Sequence, residues 1–206
     1  MIKYSSKYLE HAVAELAKLP GIGEKTALRL VLHLMKQDEQ RANTLGESII
    51  AVRKEIHFCK QCYNLSDEEL CPICVDTQRN QEILCIVEDV QDIMAIESTH
   101  KYNGLYHVLT GVISPMEGIG PDNLTIEALL QRVKTQLPKE IIFAISPTLE
   151  GDTTSLYLYR LLQQYDVKFS IIARGVGFGD ELEYTDNITL GKSIENRVSF
   201  ESQTVE

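Results

Sequence analysis

The 206-residue sequence lacks any apolar run that approaches the about 20 residues needed for a helix to cross a bilayer. It also lacks the apolar segment of a secretory signal, because residues 1–10 are mostly polar. We therefore expect a soluble, cytoplasmic protein. A reducing compartment in turn argues against structural disulfide bonds.

Basic residues are few. The chain has 20 Lys and Arg against 30 Asp and Glu, a net charge of −10 that at first disfavours a nucleic-acid partner. The charge is unevenly distributed, however. Residues 1–57 hold 9 basic and 7 acidic residues, whereas residues 81–206 hold 9 and 19. Any phosphate-binding surface should therefore be local and N-terminal. The acidic second half either meets protein partners or is simply a solvated surface.

Signatures of self-contained catalysis are missing as well. Gly191-Lys192-Ser193 resembles the end of a phosphate-binding P-loop, but Asp186 stands where that pattern needs a glycine. No Ser/His/Asp arrangement can be argued from the histidines. The sequence thus carries no ATPase signature of its own.

Two close cysteine pairs are the most informative feature that is present. Cys59-x-x-Cys62 and Cys71-x-x-Cys74 are separated by eight residues. This spacing suits one tetrahedral ion with four sulfur ligands, which predicts structural Zn²⁺, one per chain. Two disulfides or a redox pair are the weaker alternatives. Cys85 lies in an apolar run and is expected to be a buried small hydrophobe.

The N-terminal region is predicted to be helical. Apolar spacing indicates helices over residues 6–18, 24–35 and 38–56, the third weakened near Gly46. A breaker cluster, Leu19-Pro-Gly-Ile-Gly, separates the first two helices.

The turn between the first two helices has the chemistry of a phosphate site. Gly21 and Gly23 permit a tight turn and close approach of another molecule. The helix that follows begins with unpaired amides, and Lys25 and Arg29 lie on one face with Thr26 beside them. Such groups do not distinguish one base from another, so binding to a nucleic acid should be independent of its sequence and sensitive to salt. Helix packing with no ligand at all is the alternative.

Beyond residue 81 the patterns alternate between strand and helix, which predicts a mostly parallel sheet covered by helices. We expect strands over residues 83–87, 105–110, 140–145 and 168–173, and helices over 89–98, 125–137 and 153–165. The carboxyl ends of these strands, where sites gather in such sheets, carry Glu88, Gly111, Ser146 and Arg174.

These features together resemble a known family. The hairpin resembles a helix-hairpin-helix DNA-binding motif. The whole chain is similar to the RecR family of bacterial recombination mediators, through segments in a fixed order: Leu19-Pro-Gly-Ile-Gly23, the four cysteines, Ile86-Val-Glu-Asp89, Tyr106-His-Val-Leu109, Gly118-Ile-Gly-Pro121, Glu150-Gly-Asp152 and Leu182-Glu-Tyr-Thr-Asp186.

The resemblance implies an α+β/α/β multidomain protein. Its parts would be a helix-hairpin-helix domain (1–56), a four-cysteine zinc module (57–80), a Toprim-like α/β domain (81–173) and a C-terminal segment that exchanges between subunits (174–206). It further implies homotetrameric rings, DNA binding, and action in DNA-damage repair at the nucleoid. With RecO, RecF or both, such proteins help load recombinase onto single strands coated by single-strand-binding protein.

The Toprim resemblance also implies what this chain has lost. Catalytic Toprim enzymes hold magnesium with a glutamate after the first strand and an Asp-x-Asp pair after a later one. Glu88 matches the first position, but Ser146-Pro147-Thr148 replaces the pair, and only Glu150 and Asp152 remain nearby. We therefore expect a non-enzymatic scaffold for partners, with residual metal binding at Glu88, Glu150 and Asp152 as an alternative role. A magnesium-dependent nuclease or primase-like enzyme, or an adaptor that does not touch DNA, are the competing functions.

Overall fold

The computed structural model describes residues 4–199. The chain divides into two compact units, Met1–Ile56 and His57–Glu206. Among the helices of residues 4–199, none combines the length and the apolar character required to cross a membrane.

The first unit is a helical hairpin followed by a third helix: α1 (Lys7–Leu16), α2 (Glu24–Leu34) and α3 (Glu39–Glu55). Ser6 caps α1 by accepting from the amide of Leu9 at 3.5 Å. Val13 of α1 and Ala27 and Val31 of α2 form the buried centre of this unit. The spacing of these apolar residues explains why α1 and α2 pair, since it places them on facing sides.

The second unit begins with the cysteine module. Two short antiparallel strands, β1 (His57–Phe58) and β2 (Leu65–Ser66), precede a one-turn helix, α4 (Pro72–Val75). Tyr63, just after the first cysteine pair, has a positive φ of 63°, which lets the chain reverse tightly at this point. The module is therefore built from turns rather than from an apolar core of its own.

A four-stranded parallel sheet forms the rest of the second unit. Its strands are β3 (Asn80–Val87), β4 (Gly104–Val108), β5 (Glu140–Ala144) and β6 (Lys168–Ile171), in the order β4-β3-β5-β6. The helices are α5 (Val90–Ser98), α6 (Ile126–Gln136), α7 (Leu149–Leu162) and α8 (Asn187–Glu195). This confirms the predicted α/β architecture with a parallel sheet.

Both faces of the sheet are covered, as crossover connections in parallel sheets require. Leu84 and Ile86 of β3 belong to the cluster that includes α6 and α7, whereas Cys85 and Val87 belong to the cluster that includes Ile93 of α5. Successive residues in the second half of β3 thus enter opposite cores, which is why residues 83–87 are apolar without interruption, whereas the first three residues of the strand are polar and exposed.

An ion pair fixes the start of β3 to α5. Arg79 donates from Nη1 to Glu97 Oε1 at 3.0 Å and also pairs through Nη2 with Glu97 Oε2. Tyr106 of β4 donates its hydroxyl to the same carboxylate at 2.7 Å. This arrangement lowers the pKa of Glu97, chiefly through the hydrogen bond from Arg79.

The structure differs from the predictions in several places. Helix α7 begins at Leu149 rather than at residue 153, so Glu150 and Asp152 lie in its first turn. Strand β4 ends at Val108, and Thr110 has a positive φ of 67°. Helix α3 continues through Gly46 without interruption. Residues 200–206 of the predicted C-terminal segment lie outside the described residues.

Candidate nucleic-acid interface and zinc module

The α1–α2 turn presents backbone amides at the start of a helix. Gly21 has a φ of 77°, a conformation that favours glycine, and Gly23 is the N-cap of α2 with no side-chain cap. Ala27 is the first residue whose amide bonds back along the helix, to Gly23 O at 2.9 Å. The amides of Glu24, Lys25 and Thr26 precede it and lack intrahelical acceptors. The positive end of the helix dipole adds to these donors, so the turn can hold an anion.

Basic side chains continue from this turn along one exposed face of α2. Lys25 and Arg29 are exposed, and Thr26 is half-buried. Lys25 and Arg29 lie along an open groove of about 420 Å³ that is also lined by Leu28, Leu32, His33 and Lys36. Lys36, which was not among the predicted DNA-binding residues, extends the basic groove beyond the end of the helix, and its spacing from Lys25 and Arg29 is the signal that could have identified it.

One acidic side chain lies at the same end of α2. Glu24 is the first residue of the helix, and its Oε1 accepts a hydrogen bond of 2.9 Å from the hydroxyl of Tyr4. A phosphate would therefore meet the amides from the side of Lys25 and Arg29 rather than from that of Glu24.

Gly23 is not required by the packing of this chain. Its φ of −81° and ψ of 163° are open to any residue, and a Cβ atom built on it would meet nothing within 4 Å. Gly21 differs, because its positive φ restricts side chains. The bare backbone at Gly23 therefore leaves room for a molecule outside the chain.

The four cysteines meet at a single point. Their Sγ atoms all lie within 4.8 Å of one another, and the Sγ atoms of Cys62 and Cys71 are 3.5 Å apart. Tetrahedral zinc with Zn–S bonds of about 2.3 Å needs S···S separations of about 3.8 Å, so the cluster fits the ion. Within residues 4–199 it is the one group of three or more potential ligand side chains that meets at metal-binding distance.

The surroundings of these sulfur atoms favour thiolates. The amide of Cys71 donates to Cys59 Sγ at 3.3 Å, and the amide of Asn64 donates to Cys62 Sγ at 3.5 Å. Hydrogen bonds from Cys62 and Cys74 lower the pKa of Cys71, and the same bond to Cys71 raises the pKa of Cys62, because without an ion between them one sulfur keeps the proton that its neighbour loses. Several thiolates can share so small a space only with a cation between them, and zinc supplies that charge.

Cys85 behaves differently from the four ligands. It lies in β3, and burial raises the pKa of its thiol to about 12. It is therefore a neutral core side chain, as its apolar neighbours predict.

The carboxyl ends of the parallel strands do not gather the predicted acidic residues into one group. One oxygen of Glu88, Oε2, is buried without a hydrogen-bond partner among the described residues. Asp152 instead pairs with Arg174, at 2.5 Å between Oδ1 and Nη1, and with Lys192, at 3.9 Å. Arg174 was predicted to lie at a strand end, but its ion pair with Asp152 was not predicted.

A helical hairpin, a module of four cysteines suited to zinc and a parallel α/β sheet together define a multidomain α/β protein with one structural metal site. Residues 9–53 match the family described as "RecR, helix-hairpin-helix", and residues 56–76 match the four-cysteine zinc finger domain of RecR. Residues 82–173 match the Toprim domain, and residues 175–198 match "RecR, C-terminal".

Similarity to curated proteins extends over almost the whole chain. "Recombination protein RecR" of Bacteroides thetaiotaomicron is 56% identical over 198 residues, which cover 96% of this chain and 97% of that protein. The proteins of the same name in Cytophaga hutchinsonii and Flavobacterium johnsoniae are 52% and 51% identical, over 98% and 97% of this chain and 99% and 97% of theirs. The chain belongs to the RecR family. The predicted family and its structural zinc are thereby confirmed.

Proposed function

We propose that this protein is a DNA-binding recombination mediator that binds the sugar-phosphate backbone of DNA through the α1–α2 turn. The observation that carries this proposal is the free amide end of α2, with Gly23 bare and Lys25 and Arg29 exposed beside it. Amides, a helix dipole and two cations all act on phosphate and on no particular base. Binding should therefore be independent of sequence and weaken as salt rises.

We infer that several copies bind DNA together. The net charge of −10 opposes DNA binding by a single chain, whereas a closed assembly presents one hairpin per subunit and gains avidity. Helix α3 supports self-association, because it has no buried residue and exposes Leu45, Ile49, Ile50 and Val52. Apolar area of this kind on one helix suits a second copy of the chain, as a dimer or a ring-like tetramer.

The partners in this proposal are the recombination proteins RecO, RecF or both. Together with them, the protein would help load recombinase onto single-stranded DNA coated by single-strand-binding protein, in the bacterial cytoplasm and at the nucleoid. The acidic surface of residues 81–206, which carries the whole excess of negative charge, is suited to protein partners rather than to DNA.

We further propose that the Toprim domain is a scaffold and not an enzyme. Two-metal chemistry needs several carboxylates around the ions. In this chain Ser146 and Thr148 stand where an aspartate pair would, and Asp152 is already balanced by Arg174 and Lys192. A magnesium ion at Asp152 would have to displace those cations.

The test is loss of DNA affinity on changing Lys25 and Arg29 together to Ala. If each makes one charge-assisted phosphate contact of about 1.5 kcal/mol or more, the double variant loses about 3 kcal/mol or more and binds an oligonucleotide at low salt at least about 150-fold more weakly. The salt dependence of binding should also become shallower by about 0.7–0.9 per lost contact.

A matched control removes the same charge elsewhere in the same unit. Arg53→Ala with Lys54→Ala deletes two exposed cations at the end of α3, and it should leave the affinity within about threefold because such charges act only at long range. If the Lys25 and Arg29 variant binds within about twofold of the unchanged protein, the hairpin is not the DNA site.

A further inference from the structure

A buried arginine from the sheet domain lies against the zinc module. Arg132, in the middle of α6, is only 6% exposed. Its Nη1 donates to Tyr106 O at 2.5 Å and to Gln61 O at 3.4 Å, and Gln61 lies between the cysteines of the first pair. Its Nε donates to Gln136 Oε1 at 2.8 Å. Arg132 therefore connects α6 and β4 to the first cysteine turn.

This arginine lacks the usual partner of a buried cation. Within residues 4–199, no carboxylate lies within 4.0 Å of its guanidinium, although Arg79 and Arg174 both have one. Its Nη2 is buried with no hydrogen-bond acceptor among the described residues. A buried charge without a counter-charge is strongly unfavourable, so an anion is expected close by.

The sulfur cluster, whose first cysteine pair flanks Gln61, is a source of negative charge for Arg132. Zinc carries two positive charges and four thiolates carry four negative ones, so the loaded site has a net charge of about −2. Burial lowers the pKa of Arg132, and the charges of the four cysteines act in the opposite direction. The positive charge of the Arg132 guanidinium and the negative charge of the zinc-loaded cluster are thus complementary.

The other titratable group beside this contact does not compete as a cation. His107 of β4 packs its ring edge-to-face on Tyr63, with the ring centroids 5.6 Å apart, and is fully buried. Burial first, and the charge of Arg132 second, lower the pKa of His107 to about 3. His107 is therefore neutral near pH 7, and Arg132 supplies the positive charge.

We propose that Arg132 is the internal counter-cation of the zinc–thiolate cluster, through which the sheet domain stabilises metal binding. It is a positioning residue, since it contacts the carbonyl of Gln61 and not the metal. A second bond supports the same connection, because the amide of Val108 in β4 donates to Cys62 O at 2.8 Å. Zinc retention in this chain then depends on α6, some 60 residues beyond the last ligand.

The experiment measures transfer of zinc from the loaded full-length protein to the chromophoric chelator 4-(2-pyridylazo)resorcinol. Arg132→Met removes the charge while keeping the length, and zinc should leave about 10-fold faster or more, as for other supporting residues of metal sites. Arg132→Lys keeps the charge but not the planar guanidinium, so its rate should lie between that of the unchanged protein and that of Arg132→Met. Lys134→Met, an exposed cation on the same helix, is the control and should not alter the rate.

A second pair of variants separates charge from packing. Cys74→His reduces the net charge of the loaded cluster from about −2 to −1, so Arg132→Met should accelerate release by a smaller factor in that background. An equal factor in both backgrounds, or equal acceleration by Arg132→Met and Arg132→Lys, would overturn the proposal.

Release from Arg132→Met at the unchanged rate would overturn it too. If Arg132→Met does not fold, the test uses Arg132→Lys alone. A folded, zinc-loaded Arg132→Lys protein that releases zinc at a near-normal rate supports the proposal. The same loss of folding in Arg132→Lys refutes it.

Discussion

Replacing Gly23 by Ala tests whether DNA approaches the backbone of the hairpin. The residue has φ −81° and ψ 163°, which alanine adopts without strain, and the added methyl group would meet nothing within 4 Å. The substitution should therefore leave folding intact, with a free energy of unfolding within about 1 kcal/mol of the original. Any larger effect on DNA binding would come from the bound molecule.

The expected loss of affinity follows from the contacts that the methyl group would obstruct. The amides at the start of α2 would donate to a phosphate within hydrogen-bond distance, and a Cβ at position 23 would stand beside them. Loss of one hydrogen bond to a charged group costs about 1.5–3 kcal/mol, or about 10- to 150-fold in the dissociation constant.

Fluorescence anisotropy with a labelled oligonucleotide at low salt, together with thermal unfolding, measures both effects. Gly46→Ala is the matched control, since it is an exposed glycine inside α3 whose added Cβ also meets nothing. It should raise stability by up to about 1 kcal/mol through helix propensity and leave DNA affinity unchanged. Equal DNA binding by Gly23→Ala and the original protein would refute the proposed approach of phosphate.

Three further predictions concern the sheet domain. Gly151→Ala would place a Cβ 2.0 Å from Ser146 O, so we expect a loss of about 1–3 kcal/mol or more in denaturant unfolding, and an unchanged midpoint would be inconsistent with the close approach. Arg79→Met removes the cation that lowers the pKa of Glu97. The variant should therefore have a lower free energy of unfolding than the original protein. This difference should be largest above pH 4.5, the ordinary pKa of a glutamate, and should decrease as the pH falls through the lowered pKa of Glu97 in the folded protein. Equal differences at pH 7 and pH 3 would argue against that ion pair. Purified protein with Mg²⁺ should not nick supercoiled plasmid, and nicking that Glu88→Gln abolishes would contradict a scaffold role for the Toprim domain.

Much of the fold follows from local patterns in the sequence. The apolar positions Val13, Ala27 and Val31 have helical spacing, and they do form the core of the first unit. Residues 83–87 of β3 are apolar on both faces, which agrees with the predicted parallel sheet covered by helices, and the structure places β3 between β4 and β5.

The start of α7 shows where local reasoning fails. Ser146-Pro147-Thr148 and Gly151 have the composition of a loop, yet the hydroxyl of Thr148 caps the helix by accepting from the Gly151 amide at 3.0 Å. Gly151 is needed because the backbone of Ser146 passes too close for a side chain. That close approach, between residues five positions apart, depends on the backbone conformation of the turn between β5 and α7, which the composition of the turn does not reveal.

The residues of the candidate site also fall into two groups, those that local sequence patterns predict and those that only long-range contacts reveal. The four zinc ligands could be predicted, because each pair is formed by one local turn and the spacing of the pairs is diagnostic. The role of Arg132 could not, since it contacts Gln61, 71 positions earlier in the chain. The pairing of Asp152 with Arg174 is likewise a long-range contact, of 22 positions, between a helix and the segment after β6.

The central claim is that the amides and cations at the start of α2 bind the DNA backbone. The most direct measurement is an NMR titration of the ¹⁵N-labelled full-length protein with a short oligonucleotide of mixed sequence. We expect the largest chemical-shift changes in the amides between Gly21 and Arg29, and we expect these changes to reverse when salt is added. Unchanged signals for that segment, with the shifts located in the sheet domain instead, would contradict it.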